Sequence, residues 1–409
     1  MRGDDALIVA GEQGFFSFQF LMEMRRRSSQ ALALFATSLF GAAVVFTQQT
    51  SPSPASRSNP DGSTPAQIQP QAVAPPDVFA GTTQPVSASP QGLFQPAYLT
   101  PIRGAQGVLA ETLDGATLAA QSVDEKFNPA SSIKLATALT VLQTFGPDHR
   151  FVTSVWATGK IDPATGTLAG DLLVTGRDPS FHYEHAVMLA RELNQIGIRI
   201  VRGNLIVAPG FTMNFDWSAQ HSGEQFRETA DAARRSANAT RAWIDERTLV
   251  GDNESLRSVP SVVVNGDVLI GSAPPEAAPL LTHKSSNLVD ILKVLLCYSN
   301  NFMAERIGET VGGPQAVRTF LVDKLKINPD EVMLSSTSGL GVNRVTPRAM
   351  MKILRGLRDE LQKDKLSLSD ILPVAGIDPG TLEDRYTDQA ARGSVIAKTG
   401  TLGRTDGGA

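Results

Sequence analysis

Ser131 and Lys134 are the residues whose types and spacing best suit nucleophilic chemistry. They lie in the segment 127–146, where Pro129 precedes a run of regularly spaced apolar residues that Gly146 ends. This pattern predicts a helix that begins near Ser131. Lys134 follows three residues later on the same helix face, where its amine could act as the base for the serine hydroxyl. The alternative is that the serine is only a helix cap and the lysine a solvated side chain.

The start of this helix would supply the electrostatic part of the chemistry. The first backbone N–H groups of a helix have no partner within the helix and favour an oxyanion that forms beside them. No His-Asp pair lies near Ser131 in the sequence, so Lys134 is the candidate base. It must be neutral to accept a proton, and burial beside a second cation would lower its pKa accordingly.

Two further short motifs follow along the chain. Ser299-x-Asn301 lies at a predicted break between two helices, and Lys398-Thr399-Gly400 lies in a predicted β segment over 394–402. Each motif is weak evidence when taken alone, although Lys-Thr-Gly is rarer than Ser-x-Asn. Their predicted contexts, a helix start, a helix break and a strand, strengthen them, and the three motifs together resemble the set that β-lactamases and penicillin-binding proteins carry.

The sequence resembles the D-alanyl-D-alanine carboxypeptidase/endopeptidase family, which is also called peptidase S13 or the class C low-molecular-mass penicillin-binding proteins. The resemblance covers roughly residues 100–409. It extends beyond the three motifs to five segments that match the family pattern, namely 129–135, 170–179, 299–305, 338–347 and 372–382. Two positions depart from the pattern, since Asn300 replaces a common aspartate and Arg177 replaces a glycine.

The resemblance implies an α+β protein with the serine β-lactamase/penicillin-binding-protein-like transpeptidase fold, in which helices flank an antiparallel sheet. It implies a catalytic domain formed by 98–154 and 281–409, with a mainly β/α non-catalytic region, 155–280, inserted between them. Family members continue after the third motif with further strands and a helix. The ending at Ala409 therefore predicts a sheet without its C-terminal strands, and we interpret it as a frameshift or an incomplete gene model.

The resemblance also implies the reaction, which is cleavage of D-Ala-D-Ala peptides in peptidoglycan stem peptides through an acyl-enzyme that β-lactam antibiotics also form. The implied catalytic residues are Ser131 as nucleophile, Lys134 as base, Ser299 as proton relay, and Asn301 as the group that binds the substrate amide and fixes the lysine. The implied substrate-binding residues are Lys398, Thr399, Gly400 and Thr401. The first two would hold the substrate carboxylate, and the N–H groups of Thr401 and Ser131 would form the oxyanion hole.

Two other functions compete with this one. The short C-terminus favours a catalytically inactive, truncated relative that at most binds cell-wall peptide. The three motifs alone would also suit a serine β-lactamase or esterase. The segments Gly170–Pro179 and Ser338–Leu340 argue against that last reading.

Composition limits the remaining classes of function. The formal net charge of -4 gives no reason to expect nucleic-acid binding. The single cysteine, Cys297, excludes an internal disulfide framework, and its apolar surroundings predict a buried side chain. His182 and His185 are spaced as His-x-x-His but lack the glutamate of a zincin helix, so neither a metal nor a cofactor is predicted.

The N-terminal part predicts export. Three arginines, 25–27, precede a mostly apolar run, 31–46, which is typical of a signal peptide or a membrane anchor. The true start is then Met1 or Met24. We expect an extension and signal over 1–46, a disordered Pro/Ser/Gln-rich linker over 47–97, and a protein in the periplasm or on the outer face of the cytoplasmic membrane.

Periodicity and turn residues predict the remaining elements. Asp114-Gly115 predicts a hairpin over 107–118, and Asn265-Gly266 predicts another over 262–270. Helices are expected over 186–196 and from Thr346 to Leu361. Residues 212–258 show no clean period and are left unassigned.

Overall fold

The computed structural model describes residues 41–47, 105–389 and 391–401. The predicted linker over 47–97, apart from Thr47, and most of the predicted signal over 1–46 lie outside the described residues. Residues 41–47, at the end of the predicted signal, form strand β1. Within the described ranges, no helix has the length and apolar character needed to cross a membrane.

The α-helices of the described part follow the start and stop signals of the sequence. They are α1 (Lys134–Phe145), α2 (Tyr183–Gln195), α3 (Ala219–Ala230), α4 (Ala237–Leu249), α5 (Leu288–Tyr298), α6 (Asn301–Thr310), α7 (Gly313–Leu325) and α8 (Pro347–Lys363). Gly146 ends α1 with a φ of 79°, which only glycine adopts readily. Thr346 caps α8 by accepting a hydrogen bond from Ala349 N at 3.0 Å. The predicted helix starts and ends are therefore confirmed at these positions.

The strands are short. They are β1 (Gly41–Thr47), β2 (Gln106–Thr112), β3 (Thr117–Gln121), β4 (Val152–Ala157), β5 (Ile161–Asp162), β6 (Thr167–Leu168), β7 (Leu172–Gly176), β8 (Ile200–Val201), β9 (Leu205–Val207), β10 (Val263–Val264), β11 (Val268–Ile270), β12 (Ala278–Lys284), β13 (Val332–Met333) and β14 (Arg344–Val345). They form sheets in the orders β1-β2-β3, β10-β8-β6-β5, β11-β9-β7-β4-β12 and β13-β14. The hairpin predicted at Asp114-Gly115 is confirmed as β2 and β3, which pair antiparallel.

Two hydrophobic cores fill the described fold. The first joins α1 to α5, α6, α7 and α8 and takes its buried residues from 109–151 and 288–372. The second lies between β4, β7, β9 and helices α2 and α3, with buried residues from 155–268. The second core therefore falls within the region predicted as an insertion, and the first draws on the chain before and after it. This mixture of helices and sheets confirms the predicted α+β class.

Helix α1 lies in the middle of the first core. Its first nine residues, 134–142, are all buried, so the helix is enclosed on every side rather than only along one stripe. Leu139 and Val141, which point in different directions, are both at most 1% exposed. The predicted amphipathic helix is thus a buried one, which fixes the position of the residues at its start.

The hairpin predicted at Asn265-Gly266 is wrong. Strands β10 and β11 lie in different sheets, where each pairs in parallel with a strand from 200–207. The Asn-Gly step is the bend between the two sheets, and it runs beside an equivalent bend at Gly203. A side chain at Gly266 would lie 2.5 Å from Gly203 O, so glycine is required there by the close approach of two backbones and not by a hairpin turn.

Two other stretches differ from expectation. The β segment predicted over 394–402 contains no strand in its described residues, and its one β-bridge joins Ile396 to Val374. A strand requires a continuous ladder of partners, and the described residues provide only this short contact. The unassigned stretch 212–258 contains α3 and α4, whose serine caps, Ser218 and Ser236, were the sequence signals for helix starts.

Candidate active site

Ser131 lies in a single 3-10 turn, Ala130–Ile133, that leads directly into α1. The serine side chain does not cap the helix. Its Oγ instead accepts a hydrogen bond from Lys134 Nζ at 2.9 Å. Ala130 has a φ of 47°, a strained value for a residue with a side chain, immediately before the serine. The helix-cap reading of Ser131 is therefore wrong, and the turn presents its hydroxyl to the lysine.

Lys134 is completely buried, so the solvated-lysine reading is wrong as well. Its Nζ donates to three acceptors, which are Ser131 Oγ, Asn301 Oδ1 at 2.7 Å and Ser338 O at 2.5 Å. Burial, followed by the charge of nearby Lys398, lowers the pKa of Lys134 to about 7, while the Glu305 carboxylate opposes this shift. The lowered pKa makes the neutral amine, which a base requires, accessible near neutral pH.

The second motif is placed by the break between two helices. Ser299 ends α5 in the left-handed conformation, with a φ of 56°. Asn300 then caps α6 by accepting from Met303 N at 2.9 Å. The middle residue of the motif thus has the structural task of starting α6, which asparagine performs as well as aspartate. The turn lets Ser299 contact Lys398 while Asn301 contacts Lys134.

The third motif runs beside the turn that carries the nucleophile. Lys398 Nζ donates to Ser299 Oγ at 2.8 Å and to Thr399 O at 2.6 Å. Burial lowers the pKa of Lys398 to about 8. A side chain at Gly400 would lie 2.6 Å from Pro129 O and 3.0 Å from Ser132 N, so glycine is what allows this close approach. Thr399 is half-buried and Thr401 is exposed.

The structure adds residues to which the sequence assigned no role. Glu305 on α6 accepts from Ser338 N at 2.9 Å and from Thr337 Oγ1 at 2.8 Å. These contacts fix the carbonyl of Ser338, which in turn accepts from Lys134. A side chain at Gly339 would lie 2.1 Å from Ala130 O, so the backbone at 338–339 packs directly on the nucleophile turn. These residues lie in two of the segments that resemble the family, which was the signal that could have identified them.

The other candidate residues lie away from this group or are inert. His182 and His185 pack at the start of α2, where His182 N donates to the ring of His185 at 3.0 Å. In the described ranges, no three His, Cys, Asp or Glu side chains are grouped to hold a metal ion. Cys297 is fully buried, as predicted, and burial raises the pKa of its thiol to about 12.

These contacts bring the three motifs together in one group. Ser131 and Lys134 form one serine-lysine pair, and Ser299 and Lys398 form a second, with Asn301 bound to the first lysine. The start of α1, the break between α5 and α6 and the extended segment at Lys398 meet here. Serine enzymes with the penicillin-binding-protein fold carry the same three motifs. The site and the fold together define this class of acyl-enzyme-forming proteins.

Comparisons with known proteins give the family. The model of the D-Ala-D-Ala carboxypeptidase 3 (S13) family matches residues 101–262 and 258–405, and the chain belongs to this family. A D-alanyl-D-alanine carboxypeptidase of Actinomadura sp. (strain R39) is 28% identical over 395 residues, with 72% of each chain covered. The carboxypeptidase DacB of Haemophilus influenzae is 32% identical over 153 residues, which cover 34% of this chain and 31% of that one.

Solved structures show the same fold. A penicillin G-acylated predatory endopeptidase of Bdellovibrio bacteriovorus superposes with a TM-score of 0.58 at 23% identity, covering 71% of this chain and 76% of that one. Penicillin binding protein 4 of Haemophilus influenzae gives a TM-score of 0.54 at 22% identity, with 72% and 84% covered. The predicted penicillin-binding-protein-like fold is thereby confirmed.

Proposed function

We propose that this chain is a serine D-Ala-D-Ala carboxypeptidase/endopeptidase that acts on peptidoglycan stem peptides and is acylated by β-lactam antibiotics. The single observation that carries the proposal is the contact of 2.9 Å between Ser131 Oγ and the buried amine of Lys134. A serine hydroxyl is a weak nucleophile until an adjacent base takes its proton, and Lys134, with a pKa of about 7, is suited to that task.

Acylation begins at the first serine-lysine pair. Ser131 Oγ attacks the carbonyl carbon of the terminal D-Ala-D-Ala bond while its proton moves to Lys134 Nζ. The tetrahedral oxyanion forms beside the backbone N–H groups of Ser131 and Thr401. Removing one such donor typically costs on the order of 10²–10³ in rate, so this contact is a large part of catalysis.

The second pair serves the leaving group. Ser299 Oγ gives its proton to the amine of the departing D-alanine as the carbon–nitrogen bond breaks, and it takes up the proton that Lys134 received from Ser131, so that Lys134 is neutral again. Lys398 keeps the Ser299 hydroxyl oriented from 2.8 Å. Lys398 and Thr399 also bind the terminal carboxylate of the peptide, or the equivalent carboxylate of a penicillin. Water then attacks the acyl carbonyl carbon while Lys134 takes a proton from it, and Lys134 returns that proton to Ser131 Oγ as the ester bond breaks.

Turnover of a diacetyl-Lys-D-Ala-D-Ala peptide by the full chain tests this proposal. Release of D-alanine that disappears in Ser131→Ala is the expected result. No release and no acylation by penicillin from a folded protein would favour the inactive relative that only binds cell-wall peptide. Rapid multiple turnover of penicillin, without a lasting adduct, would favour the β-lactamase reading instead.

We also propose that the chain is exported to the periplasm or to the outer face of the cytoplasmic membrane. The arginines at 25–27 and the apolar run 31–46 support this proposal, as does the extracytoplasmic location of peptidoglycan. A fusion of residues 1–97 to alkaline phosphatase, which is active only after export, should be active. A fusion that is made but inactive would contradict export.

A further inference from the structure

Lys293 is a buried cation that the proposed reaction does not use. It lies on α5, six residues before Ser299, and its side chain is 6% exposed. Its Nζ donates to Asp378 Oδ2 at 2.6 Å, to Leu372 O at 2.7 Å and to Ser369 O at 2.9 Å. All three acceptors belong to one stretch, 369–382, which we call the connecting loop. The lysine therefore fastens α5 to this loop.

Asp378 holds the same loop from within. Its side chain is fully buried, and Oδ2 accepts from Val374 N at 2.7 Å in addition to Lys293. A buried carboxylate requires such compensation because water does not reach it. One ion pair thus fixes both the course of the connecting loop and its distance from α5.

Among the described residues, the connecting loop forms backbone hydrogen bonds with the segment that leads to Lys398. Ala375 N donates to Val395 O at 2.9 Å, and Ala397 N donates to Pro373 O at 3.2 Å. Ala397 directly precedes Lys398. The position of the lysine of the third motif is therefore set through this loop.

The other end of the connecting loop contacts the end of α5. Thr381 donates to Cys297 O from its N at 2.9 Å and from its Oγ1 at 3.1 Å. A side chain at Gly380 would lie 2.4 Å from the same oxygen, so the loop passes there with no room for one. Cys297 is two residues before Ser299. The loop thus binds the elements that carry both members of the second serine-lysine pair.

We infer that Lys293 and Asp378 are positioning residues that hold Lys398 against Ser299. In that position Lys398 can bind a substrate carboxylate. The inference rests on the proposed function, because it assigns the pair a task in that reaction. Neither residue contacts the reacting groups. The ion pair acts through the connecting loop, which has no other buried ion pair among the described residues.

The test compares two variants of the full chain. Lys293→Met/Asp378→Leu replaces the ion pair by apolar side chains of similar size, which avoids leaving one buried charge without a partner. The control is Arg355→Met/Glu111→Gln, which removes a partly buried ion pair between α8 and β2 with the same N–O distance of 2.6 Å. Acylation rates are measured with benzylpenicillin and with its methyl ester, which lacks the carboxylate.

The ratio of the two acylation rates separates positioning from general stability. In Lys293→Met/Asp378→Leu the preference for the carboxylate form should fall about tenfold, because Lys398 no longer sits where a charge-assisted contact forms. The control variant should keep the parental ratio even if its melting temperature falls. A parental ratio in the Lys293 and Asp378 variant would overturn the inference.

If the unaltered chain is not acylated by penicillin, that result counts against the proposed function but not against the positioning role of the ion pair. A second measurement then tests the positioning role by itself. Amide hydrogen exchange at Ala397, which donates to the connecting loop, should be faster in the Lys293 and Asp378 variant than in the unaltered chain and the control. Equal exchange in all three proteins would show that the ion pair does not position this segment.

Discussion

Two of the clusters of buried ionisable side chains in the described part of the chain differ in what surrounds them. At Ser131, both lysines of the site donate to defined acceptors. In the second core, Glu184 on α2 and His283 on β12 line a cavity of about 130 Å³ with His185 and Glu246. There, Glu184 Oε1 and His283 Nε2 have no hydrogen-bond partner.

Burial shifts the pKa values in both clusters. It raises the pKa of Glu184 to about 8 and lowers the pKa of His283 to about 4, shifts that compare with those of Lys134 and Lys398. A perturbed pKa is therefore not enough to identify a catalytic site in this chain. The first cluster differs because each lysine with a lowered pKa has a serine hydroxyl within hydrogen-bond distance, Ser131 for Lys134 and Ser299 for Lys398. Four predictions test this distinction, in order of decreasing effect.

Loss of the base should have the largest effect. Lys134→Met should lower the rate of acylation by penicillin by about 10²–10⁴, the usual contribution of a general base. The matched change in the second cluster, Glu184→Gln, should leave that rate unchanged. Stopped-flow measurement of acylation in both variants checks the pair. Equal losses in the two variants would remove the distinction between the clusters.

The pH dependence of kcat/KM should be bell-shaped. Activity should fall below a pH of about 7, where Lys134 becomes protonated and cannot accept the serine proton. It should fall again above about 8, where Lys398 loses the charge that binds the substrate carboxylate. Rates with the diacetyl peptide from pH 5 to 10 give the profile. A rate that does not fall on the acidic side would contradict a lysine base.

Glu184 should affect stability and not rate. Its folded-state pKa of about 8 lies above the usual value of 4.5, so the folded protein holds a proton there that the unfolded chain loses. Stability contributed by this group is therefore lost as pH rises from about 4.5 to 8. Glu184→Gln should abolish this pH-dependent loss. The gain in free energy of unfolding over the unaltered chain should therefore be larger at pH 8 than at pH 5 by a few kcal/mol, since each pH unit contributes about 1.4 kcal/mol. A gain that does not depend on pH would rule out this account of the cavity.

The smallest effect should come from Glu305. Its carboxylate opposes the lowering of the pKa of Lys134. Glu305→Gln retains an acceptor for Ser338 N but removes the charge, so the acidic limb of the kcat/KM profile should move to lower pH. The basic limb, which reports Lys398, should stay in place. Movement of the basic limb alone would show that Glu305 does not act on Lys134.

The sequence predicted the site better than it predicted the sheets. The three motifs are local, and a helix start or a helix break fixes their geometry within a few residues, as at Ser131 and Ser299. The pairing of β10 and β11 depends on strands far away in sequence, so the local signal of Asn265-Gly266 indicated a hairpin that the two strands do not form. Glu305 and Asp378 were missed because their partners, Ser338 and Lys293, are distant along the chain.

Reaction of the full chain with a fluorescent penicillin, beside Ser131→Ala, tests the central claim most directly. We expect a covalent adduct on the unaltered chain and none on Ser131→Ala, because the bond forms at the serine oxygen that contacts Lys134 at 2.9 Å. An adduct of equal yield on the Ser131→Ala protein would show that another residue is the nucleophile. A folded, unaltered chain that forms no adduct would contradict an assembled catalytic site.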